Sequence, residues 1–219
     1  MTKNAALSAR RSRLTKQRPL PREFYNRETE QVARDLLGAV LECRTVDGVA
    51  AGRIVETEAY IGEHDLACHA AAGRTARTAP LYGAPGIAYV YFIYGMYWCV
   101  NAVTRAKDEP SAVLIRALEP VSGIEAMRRR RPKARRDVDL TNGPGKLCQA
   151  LGIDGSLNNT TLMRGKLRIL EGAPVADDDV VITPRIGITK CASWPLRYFI
   201  AGNAYVSKTP AHFARSAPG

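Results

Sequence analysis

Several kinds of segment are scarce or missing in this chain of 219 residues. No apolar run approaches the roughly 20 residues that a membrane-spanning helix requires. The N-terminal residues also lack the apolar stretch that is typical of a secretory signal peptide. Histidine is rare, with three residues, and no C-x-x-C motif occurs. We therefore expect neither a membrane protein nor a secreted protein.

The cysteines do not form a disulfide pattern. Five are present, an odd number, and they are widely spaced, whereas small secreted proteins pair an even set. We therefore expect reduced thiols. The nearest approach to a metal cluster is His64, Cys68 and His69, but neighbouring residues rarely converge on one ion. The sequence predicts no metal site.

Acidic residues are too few to balance the basic ones. The chain has 32 Lys and Arg against 21 Asp and Glu, a formal net charge of +11. Fourteen of the basic residues lie in two segments, 1–22 and 128–136, and the rest of the chain has a net charge of −3. We expect a flexible basic tail over 1–22, one domain over 23–208 with a flexible basic loop at 128–139, and a C-terminal tail over 209–219.

Such basic segments favour contact with nucleic acid phosphates, which would be sensitive to salt. Other interpretations stay open at this point. The segments could be solvated tails and loops, they could contact a membrane surface, or the N-terminus could be an organellar transit peptide. The membrane surface is the weaker of these because residues 1–22 offer only three leucines as large apolar anchors.

Hydrophobic periodicity predicts a mixed α/β (α+β) fold. A helix begins near Thr29, Asp47-Gly48 is typical of a hairpin turn, and Tyr94-Gly95 interrupts a second apolar run. We expect a single domain with a curved, largely antiparallel sheet, a protruding β-hairpin and surrounding helices. The predicted strands are 39–46, 49–61, 87–103 (as a hairpin), 111–118 and short strands over 166–206; the further helices are 121–131 and 145–151, and 62–86 is a loop with few core residues.

One predicted strand carries two carboxylates. Alternation along a strand places Glu56, Glu58 and Tyr60 on one face. The simplest interpretation is the solvent-exposed face of an edge strand. Two carboxylates and an aromatic ring on one face are nevertheless unusual within an apolar strand.

The second hairpin is rich in tyrosine. Tyr89 and Tyr91 share one face of its first strand, and Tyr94 lies at the turn. A face of this kind usually packs in the core. An aromatic side chain at an exposed turn of a basic protein also suits stacking on nucleic acid bases.

The chain closely resembles the alkyladenine (3-methyladenine) DNA glycosylase family from about Phe24 to about Ser207. The resemblance rests on long motifs in a fixed order. They are RIVETEAY at 53–60, His69, YVYFIYGMY at 89–97 with Asn101, LIRALEP at 114–120 and GPGKLCQAL at 143–151.

The resemblance implies a role for each residue of the predicted site. Glu58 would be the general base that activates a water, and Glu56 a supporting residue. The damaged base would leave the duplex and stack between Tyr60 and Tyr91, with His69 completing the pocket. Asn101 would form the pocket floor and disfavour normal guanine.

The resemblance also implies contacts with DNA. Tyr94 would insert into the gap left by the flipped base, and Arg116 would hold a phosphate near the lesion. Arg74 and Arg77 lie in a loop that resembles a Gly-Arg-Thr segment of the family. The same loop departs from the family at Arg77-Thr78 and Leu81-Tyr82, where Arg-Asn and Met-Phe are common, which bears on substrate preference.

The implied activity is that of a monofunctional glycosylase, because no lysine lies in the motifs that supply Glu58, Tyr60, His69, Tyr91 and Asn101. No cofactor is expected, because the implied nucleophile is water. Its substrates would be 3-methyladenine, 7-methylguanine, hypoxanthine and ethenoadenine in double-stranded DNA. We expect a monomer, in the cytoplasm at the nucleoid of a bacterium or in the nucleus of a eukaryote. Two other functions stay open, namely a non-catalytic nucleic-acid-binding module and a magnesium-dependent nuclease built on Glu56, Glu58 and Asp65.

Overall fold

The computed structural model describes residues 17–208 of the chain. A long strand lies at the centre of its β-sheet. Eight strands and four α-helices are present in this part. The strands are β1 (Val40–Thr45), β2 (Gly48–Tyr60), β3 (Ala88–Ile93), β4 (Tyr97–Val103), β5 (Ala112–Ser122), β6 (Leu167–Leu170), β7 (Val180–Thr183) and β8 (Arg197–Ile200). The helices are α1 (Arg22–Tyr25), α2 (Thr29–Asp35), α3 (Ile124–Arg130) and α4 (Pro144–Leu151).

The strands form one open sheet, in the order β3-β4-β5-β2-β1-β6. β8 pairs with the end of β2 that lies beyond β1, and β7 pairs with β8. Every pairing among these strands is antiparallel. The prediction of a single mixed α/β domain with an antiparallel sheet is confirmed, and so are both hairpins.

The interior of the sheet is buried on both faces around β2. Glu58 and Ala59 are consecutive residues in a regularly paired part of β2, where side chains alternate between the faces, and both are fully buried. Helix α2 covers one side with its buried Val32 and Ala33. The Thr57 hydroxyl donates a 2.8 Å hydrogen bond to the Ala33 carbonyl and ties the helix to the strand. β2 is therefore a central strand, and the interpretation of its polar residues as an exposed edge is wrong.

The predicted basic loop over 128–139 is only partly irregular. Arg128–Arg130 belong to helix α3, and Asp137–Leu140 form a 3₁₀ turn. Arg128 pairs with Asp137 at 2.8 Å, and Arg130 pairs with Asp47 at 2.9 Å. The helix predicted over 121–131 is present as α3 and includes the first arginines of the basic run, because arginine is a good helix former.

The N-terminal boundary also differs from the prediction. Pro19 forms an isolated bridge with Leu170, and the Leu20 N–H donates to the Ile169 carbonyl at 2.9 Å. The last residues of the predicted tail therefore pack on β6 and belong to the domain. Residues 1–16 of the tail, and the predicted tail over 209–219, lie outside the described residues.

The segment 62–86 contributes more to the core than the sequence predicts. It contains two 3₁₀ turns, His69–Ala72 and Ala79–Tyr82. Its buried residues form a second, smaller apolar cluster with residues of β3, β4 and β5. The expectation of few core residues was wrong because small and aromatic residues spaced through a loop give no periodic signal.

Two predictions about absences can be compared with the described residues. All five cysteines are free thiols, as predicted, and four of them are buried. Between residues 17 and 208, no helix has the length and apolar character needed to cross a membrane, the longest being the eight residues of α4.

Candidate active site

A cavity of about 320 Å³ opens beside the β3–β4 hairpin. The hairpin, the ends of β2 and β5, the 3₁₀ turn at His69, the start of α4 and the segment 186–188 enclose it. Most of its polar wall comes from tyrosines. The lining residues are Tyr60, Ala67, Cys68, His69, Leu81, Tyr89, Tyr91, Ile93, Tyr94, Tyr97, Cys99, Asn101, Ala112, Leu114, Arg116, Pro144, Gly145, Ile186, Gly187 and Ile188.

Glu58 lies directly behind one wall of this cavity. Its side chain is fully buried, and its three hydrogen-bond donors, on Tyr60, Arg116 and Ile186, all belong to lining residues. Oε1 accepts from the Ile186 N–H at 2.8 Å. Oε2 accepts from the Tyr60 hydroxyl at 2.9 Å and from Arg116 Nη1 at 3.1 Å. The carboxylate is thus held in one orientation at the base of the cavity.

Glu56 points to the same side of β2 but is held away from the cavity. Irregular pairing with β5 on either side of Glu56 accommodates the two carboxylates. The Glu56 carboxylate accepts from Arg116 Nε at 3.2 Å, from Arg197 Nε at 2.7 Å, and from both the N–H and the hydroxyl of Ser207 at 2.7 Å. Four donors bind this carboxylate, three of them at Oε1, which suits a structural role.

Arg116 joins the two carboxylates. Burial alone would lower its pKa, but the Glu58 and Glu56 charges raise it above the usual value, so the guanidinium stays charged. No hydrogen bond of its third nitrogen, Nη2, occurs within residues 17–208, and the side chain lines the cavity. The phosphate contact predicted for Arg116 stays a prediction.

Three aromatic side chains of the cavity wall lie together. The His69 and Tyr91 rings meet edge to face with centroids 4.5 Å apart, and His69 Nδ1 is 2.8 Å from the Tyr89 hydroxyl. Burial, and then the Arg77 charge, lower the pKa of His69, so the imidazole is neutral near pH 7. Burial, and then Glu58, raise the pKa of Tyr60, which keeps its hydroxyl protonated as a donor.

Asn101 of β4 is buried within the cavity wall. Its Nδ2 donates to the Tyr89 carbonyl across the hairpin at 3.0 Å, and only 4% of the residue is exposed. The amide is therefore fixed by the strand that carries the tyrosines. The structure brings Asn101 together with Tyr60, His69 and Tyr91 around one cavity, and the binding roles that the resemblance implies for them stay predictions.

The tip of the hairpin is apolar and exposed. Tyr94 is 77% exposed, with its backbone in the left-handed region at φ 54°, and Gly95 follows at φ 64°. Phe92, Met96 and Tyr97 around it are also exposed large apolar residues. Exposed apolar groups clustered at the rim of a cavity are typical of a contact surface.

Arg74 and Arg77 lie near the same rim with different partners. Arg74 pairs with Asp108 at 2.5 Å, and its guanidinium carbon is 4.6 Å from the centre of the Tyr82 ring. The Arg77 guanidinium carbon is 5.7 Å from the centre of the Tyr91 ring, and Nη2 donates to the Phe92 carbonyl at 3.4 Å. Of the two, Arg77 is the one that contacts the cavity tyrosines.

A basic groove of about 610 Å³ continues from the cavity along α4. It shares Tyr97, Pro144 and Gly145 with the cavity. Burial, and then the Arg131 charge, lower the pKa of Lys146 in this groove. The full lining is Tyr97, Arg131, Pro132, Lys133, Ala134, Gly143, Pro144, Gly145, Lys146 and Gln149. Part of the basic run at 128–136 is therefore positioned next to the cavity.

Sequence reasoning missed the segment that follows β7. Ile186 supplies the backbone donor to Glu58, and the buried Arg185 pairs with Asp65 and lies over the Tyr60 ring. Ile186 and Glu58 are 128 positions apart in the chain. No local signal points to a backbone donor, but an arginine between apolar residues at a predicted strand end could have been flagged.

The residues of the nuclease hypothesis do not converge. Asp65 pairs with Arg185, and Glu56 and Glu58 share Arg116. Within residues 17–208, no cluster of three or more His, Cys, Asp or Glu side chains is placed to hold a metal ion. Carboxylates already neutralised by arginines are poor ligands for magnesium, so the described donor set does not fit a two-carboxylate metal site.

Comparison with known proteins agrees with this geometry. The family model for methylpurine-DNA glycosylase (MPG) matches residues 23–204. The chain is 49% identical over 193 residues to a protein of Methanocella arvoryzae, covering 86% of this chain and 96% of that protein. It is 48% identical over 190 residues to a protein of Carboxydothermus hydrogenoformans, covering 86% and 98%. Both relatives are named as 3-methyladenine DNA glycosylases.

The matched range contains all the residues that surround the cavity and the strand that carries Glu58. Glycosylases of this family act on DNA. The chain therefore belongs to the methylpurine-DNA glycosylase family and is a DNA glycosylase.

Proposed function

We propose that this protein removes damaged purines from double-stranded DNA by hydrolysing the N-glycosidic bond with a water activated by Glu58, leaving an abasic site. The substrates are alkylated or deaminated purines of the kind represented by 3-methyladenine, 7-methylguanine, hypoxanthine and ethenoadenine. The observation that carries the proposal is the Glu58 carboxylate, held by three donors at the wall of a tyrosine-lined cavity.

The hydrogen bonds of Glu58 suit a general base. A carboxylate offers about four acceptor positions, and three of them are occupied. The remaining position can orient a water and take its proton while the water oxygen bonds to the anomeric carbon of the sugar. The bond from that carbon to the base nitrogen breaks, and its electron pair leaves with the base. The carboxylate also stabilises the positive charge that develops on the sugar.

The aromatic walls bind the flipped base. Tyr60 and Tyr91 supply the stacking faces, and the neutral His69 closes one side. A base alkylated on a ring nitrogen is often cationic and interacts with an aromatic face by about 0.5–2 kcal/mol per contact. Asn101 at the floor disfavours normal guanine through its exocyclic amine. The cavity volume of about 320 Å³ lies at the lower end of the roughly 300–1,000 Å³ of small-molecule sites.

The rim makes the contacts with DNA. Tyr94 fills the gap left by the flipped base, which stabilises the open duplex. Arg77 and Arg74 contact the backbone near the lesion, and Arg116 contacts a phosphate through Nη2. The basic groove follows the neighbouring phosphates. The protein acts as a monomer, in the cytoplasm at the nucleoid of a bacterial cell or in the nucleus of a eukaryotic one.

The reaction stops at the abasic site. No lysine lies among the residues between 17 and 208 that line the cavity, so no imine with the sugar forms and the strand is not cleaved. The nucleophile is water, and no cofactor is required.

The decisive experiment uses a labelled duplex with hypoxanthine or ethenoadenine, incubated with the protein in EDTA and then treated with alkali. Strand breaks that occur only after alkali support the proposal. Breaks before alkali, or breaks that require magnesium, would support a nuclease. Binding without breaks under either condition would support a non-catalytic DNA-binding module.

A further inference from the structure

A buried ion pair lies behind the Tyr60 ring. Arg185 and Asp65 are both fully buried, with Nη1–Oδ2 and Nη2–Oδ1 distances of 2.5 and 2.8 Å. Arg185 Nη1 also donates to the Ala59 carbonyl at 2.9 Å. The Arg185 guanidinium carbon is 4.6 Å from the centre of the Tyr60 ring, within the range of a cation–π contact.

The two sides of the Tyr60 ring therefore differ. Tyr60 lines the cavity, but the fully buried Arg185 does not. One face carries a guanidinium that does not line the cavity, so only the opposite face is left for a stacked base. The residue after Arg185 donates the backbone hydrogen bond to Glu58. The placement of one arginine thus fixes both the stacking ring and the carboxylate.

A cation on one face of an aromatic ring weakens the attraction of that ring for a second cation. The contact depends on the negative face of the ring, and the first cation draws on it. The two positive charges also repel each other, and this repulsion is screened less beside the protein interior than in bulk water. A neutral base that stacks on the same ring is not subject to this repulsion. The ring backed by Arg185 is therefore a better platform for neutral bases than a bare tyrosine would be.

We propose that Arg185, held by Asp65, is a positioning and specificity-determining residue that shifts selectivity from cationic to neutral purine lesions. This inference rests on the proposed function, in which a flipped base stacks on Tyr60. The positioning effect acts on all lesions alike through Ile186 and Glu58. The charge effect, in contrast, disfavours cationic lesions and leaves neutral lesions unaffected.

The test compares single-turnover release of 7-methylguanine, which carries a fixed positive charge, with release of neutral hypoxanthine from the same duplex context. The double variant Asp65→Asn/Arg185→Gln removes both charges but keeps polar groups at both positions. We expect both rates to fall, and the ratio of 7-methylguanine to hypoxanthine release to rise by about threefold to tenfold, the size of one altered cation–π contact. Intrinsic differences between the lesions cancel when each ratio is divided by that of the unaltered protein.

A matched control is available in a second buried pair. Glu42 is 3% exposed and accepts from Arg168 at 2.6 Å across β1 and β6, and neither residue lines the cavity. The double variant Glu42→Gln/Arg168→Gln removes the same charges elsewhere in the sheet. Its release ratio should equal that of the unaltered protein, even if its stability falls.

A second replacement covers the case in which the first variant does not fold. In Asp65→Asn/Arg185→Met, the methionine covers the Tyr60 ring with an apolar side chain, and a buried ion pair can often be replaced in this way without loss of stability. The expected change in the ratio is the same. If neither variant folds, the unaltered protein is tested by binding to duplexes with 2′-fluoro lesion nucleotides, which resist hydrolysis. Hypoxanthine should then be bound at least as tightly as 7-methylguanine.

The possible results separate the two proposals. A folded, charge-free variant whose ratio equals that of the unaltered protein would overturn the role of Arg185. Tighter binding of 2′-fluoro 7-methylguanine than of 2′-fluoro hypoxanthine would do the same. If the unaltered protein released neither base, the proposed function itself would be wrong.

Discussion

The inner end of the cavity and the tip of the β3–β4 hairpin hold their side chains in different ways. At the inner end, Glu58 is fully buried, and each of its oxygens accepts hydrogen bonds from fixed donors. At the tip, Tyr94 is 77% exposed, and no hydrogen bond of its side chain occurs within residues 17–208. The hydrogen bonds at the inner end hold the negative charge of Glu58 in a fixed position. The tip instead provides an exposed apolar surface of the kind that a binding partner covers.

Because the two regions differ in this way, mutations in them should change different measured quantities. A change at the inner end should alter the rate of the chemical step and leave DNA binding largely intact. A change at the tip should weaken binding of the opened duplex and alter the chemical step less. Each of the following expectations tests this division.

The largest expected effect is on the rate, from Glu58→Gln. Glutamine keeps the shape but does not take the proton of the water, so single-turnover base release should fall by about 10²–10⁴-fold, the usual contribution of a general base. Binding to a lesion duplex should stay within a few-fold, which a gel-shift titration would measure. Base release near the unaltered rate would remove Glu58 from the chemistry.

A smaller effect is expected from Tyr94→Ala at the tip. Loss of a stacking ring should weaken binding to a lesion duplex by about 1–3 kcal/mol, measured with a fluorescent base that reports on flipping. Val46→Ala provides the control, because Val46 is fully exposed at the turn of the other hairpin and does not line the cavity. Equal capture of the flipped state by both variants would argue against insertion of Tyr94.

A substitution in the basic groove should change the salt dependence of DNA binding but not the rate of base release. In Lys133→Ala, the slope of log K against log salt should become shallower by about 0.9 if one phosphate contact is lost. Release at saturating enzyme should not change. Lys166→Ala, at an exposed position that lines neither the cavity nor the groove, should keep the original slope. A changed release rate in Lys133→Ala would place the groove in the chemical step.

The smallest effect concerns pH. Because the pKa of His69 is lowered from 6.5, the imidazole is mostly neutral as the pH falls from 7.5 to 6.5. Its protonation, which would add a positive charge to the cavity, is displaced to lower pH. Release of 7-methylguanine should therefore show no loss attributable to His69 between these pH values. A loss that His69→Gln abolishes would mean that His69 titrates there after all.

Local patterns predicted a large part of this structure. The period of two along β2 correctly placed Glu56 and Glu58 on one face, and Asp47-Gly48 correctly marked the first hairpin. These signals depend on neighbours in the chain and can be identified without tertiary contacts. The motif resemblance identified the family, and the cavity gathers most of the residues that it singled out.

Long-range contacts account for what the sequence did not predict. Glu58 binds Ile186, and Glu56 binds Arg197 and Ser207. Each of these partners lies more than 120 positions along the chain from its glutamate. The side chain of Arg116 points to the interior because the Glu56 and Glu58 carboxylates lie there. The alternation of residues along a strand does not predict such a contact. The same holds for Arg185 and Asp65, whose pairing follows only from the folded chain.

The central claim is that the two glutamates of β2 have separate roles, and a matched pair of variants tests it most directly. Single-turnover release of hypoxanthine in EDTA should be measured for Glu58→Gln and Glu56→Gln, together with the free energy of unfolding of each. Glu56→Gln should lose about 1.5–3 kcal/mol of stability through weakened bonds to charged partners, and its folded molecules should release base within tenfold of the unaltered rate. Glu58→Gln should fold and bind DNA but release almost no base. Base release that depends on Glu56 and survives the change at Glu58 would contradict the account.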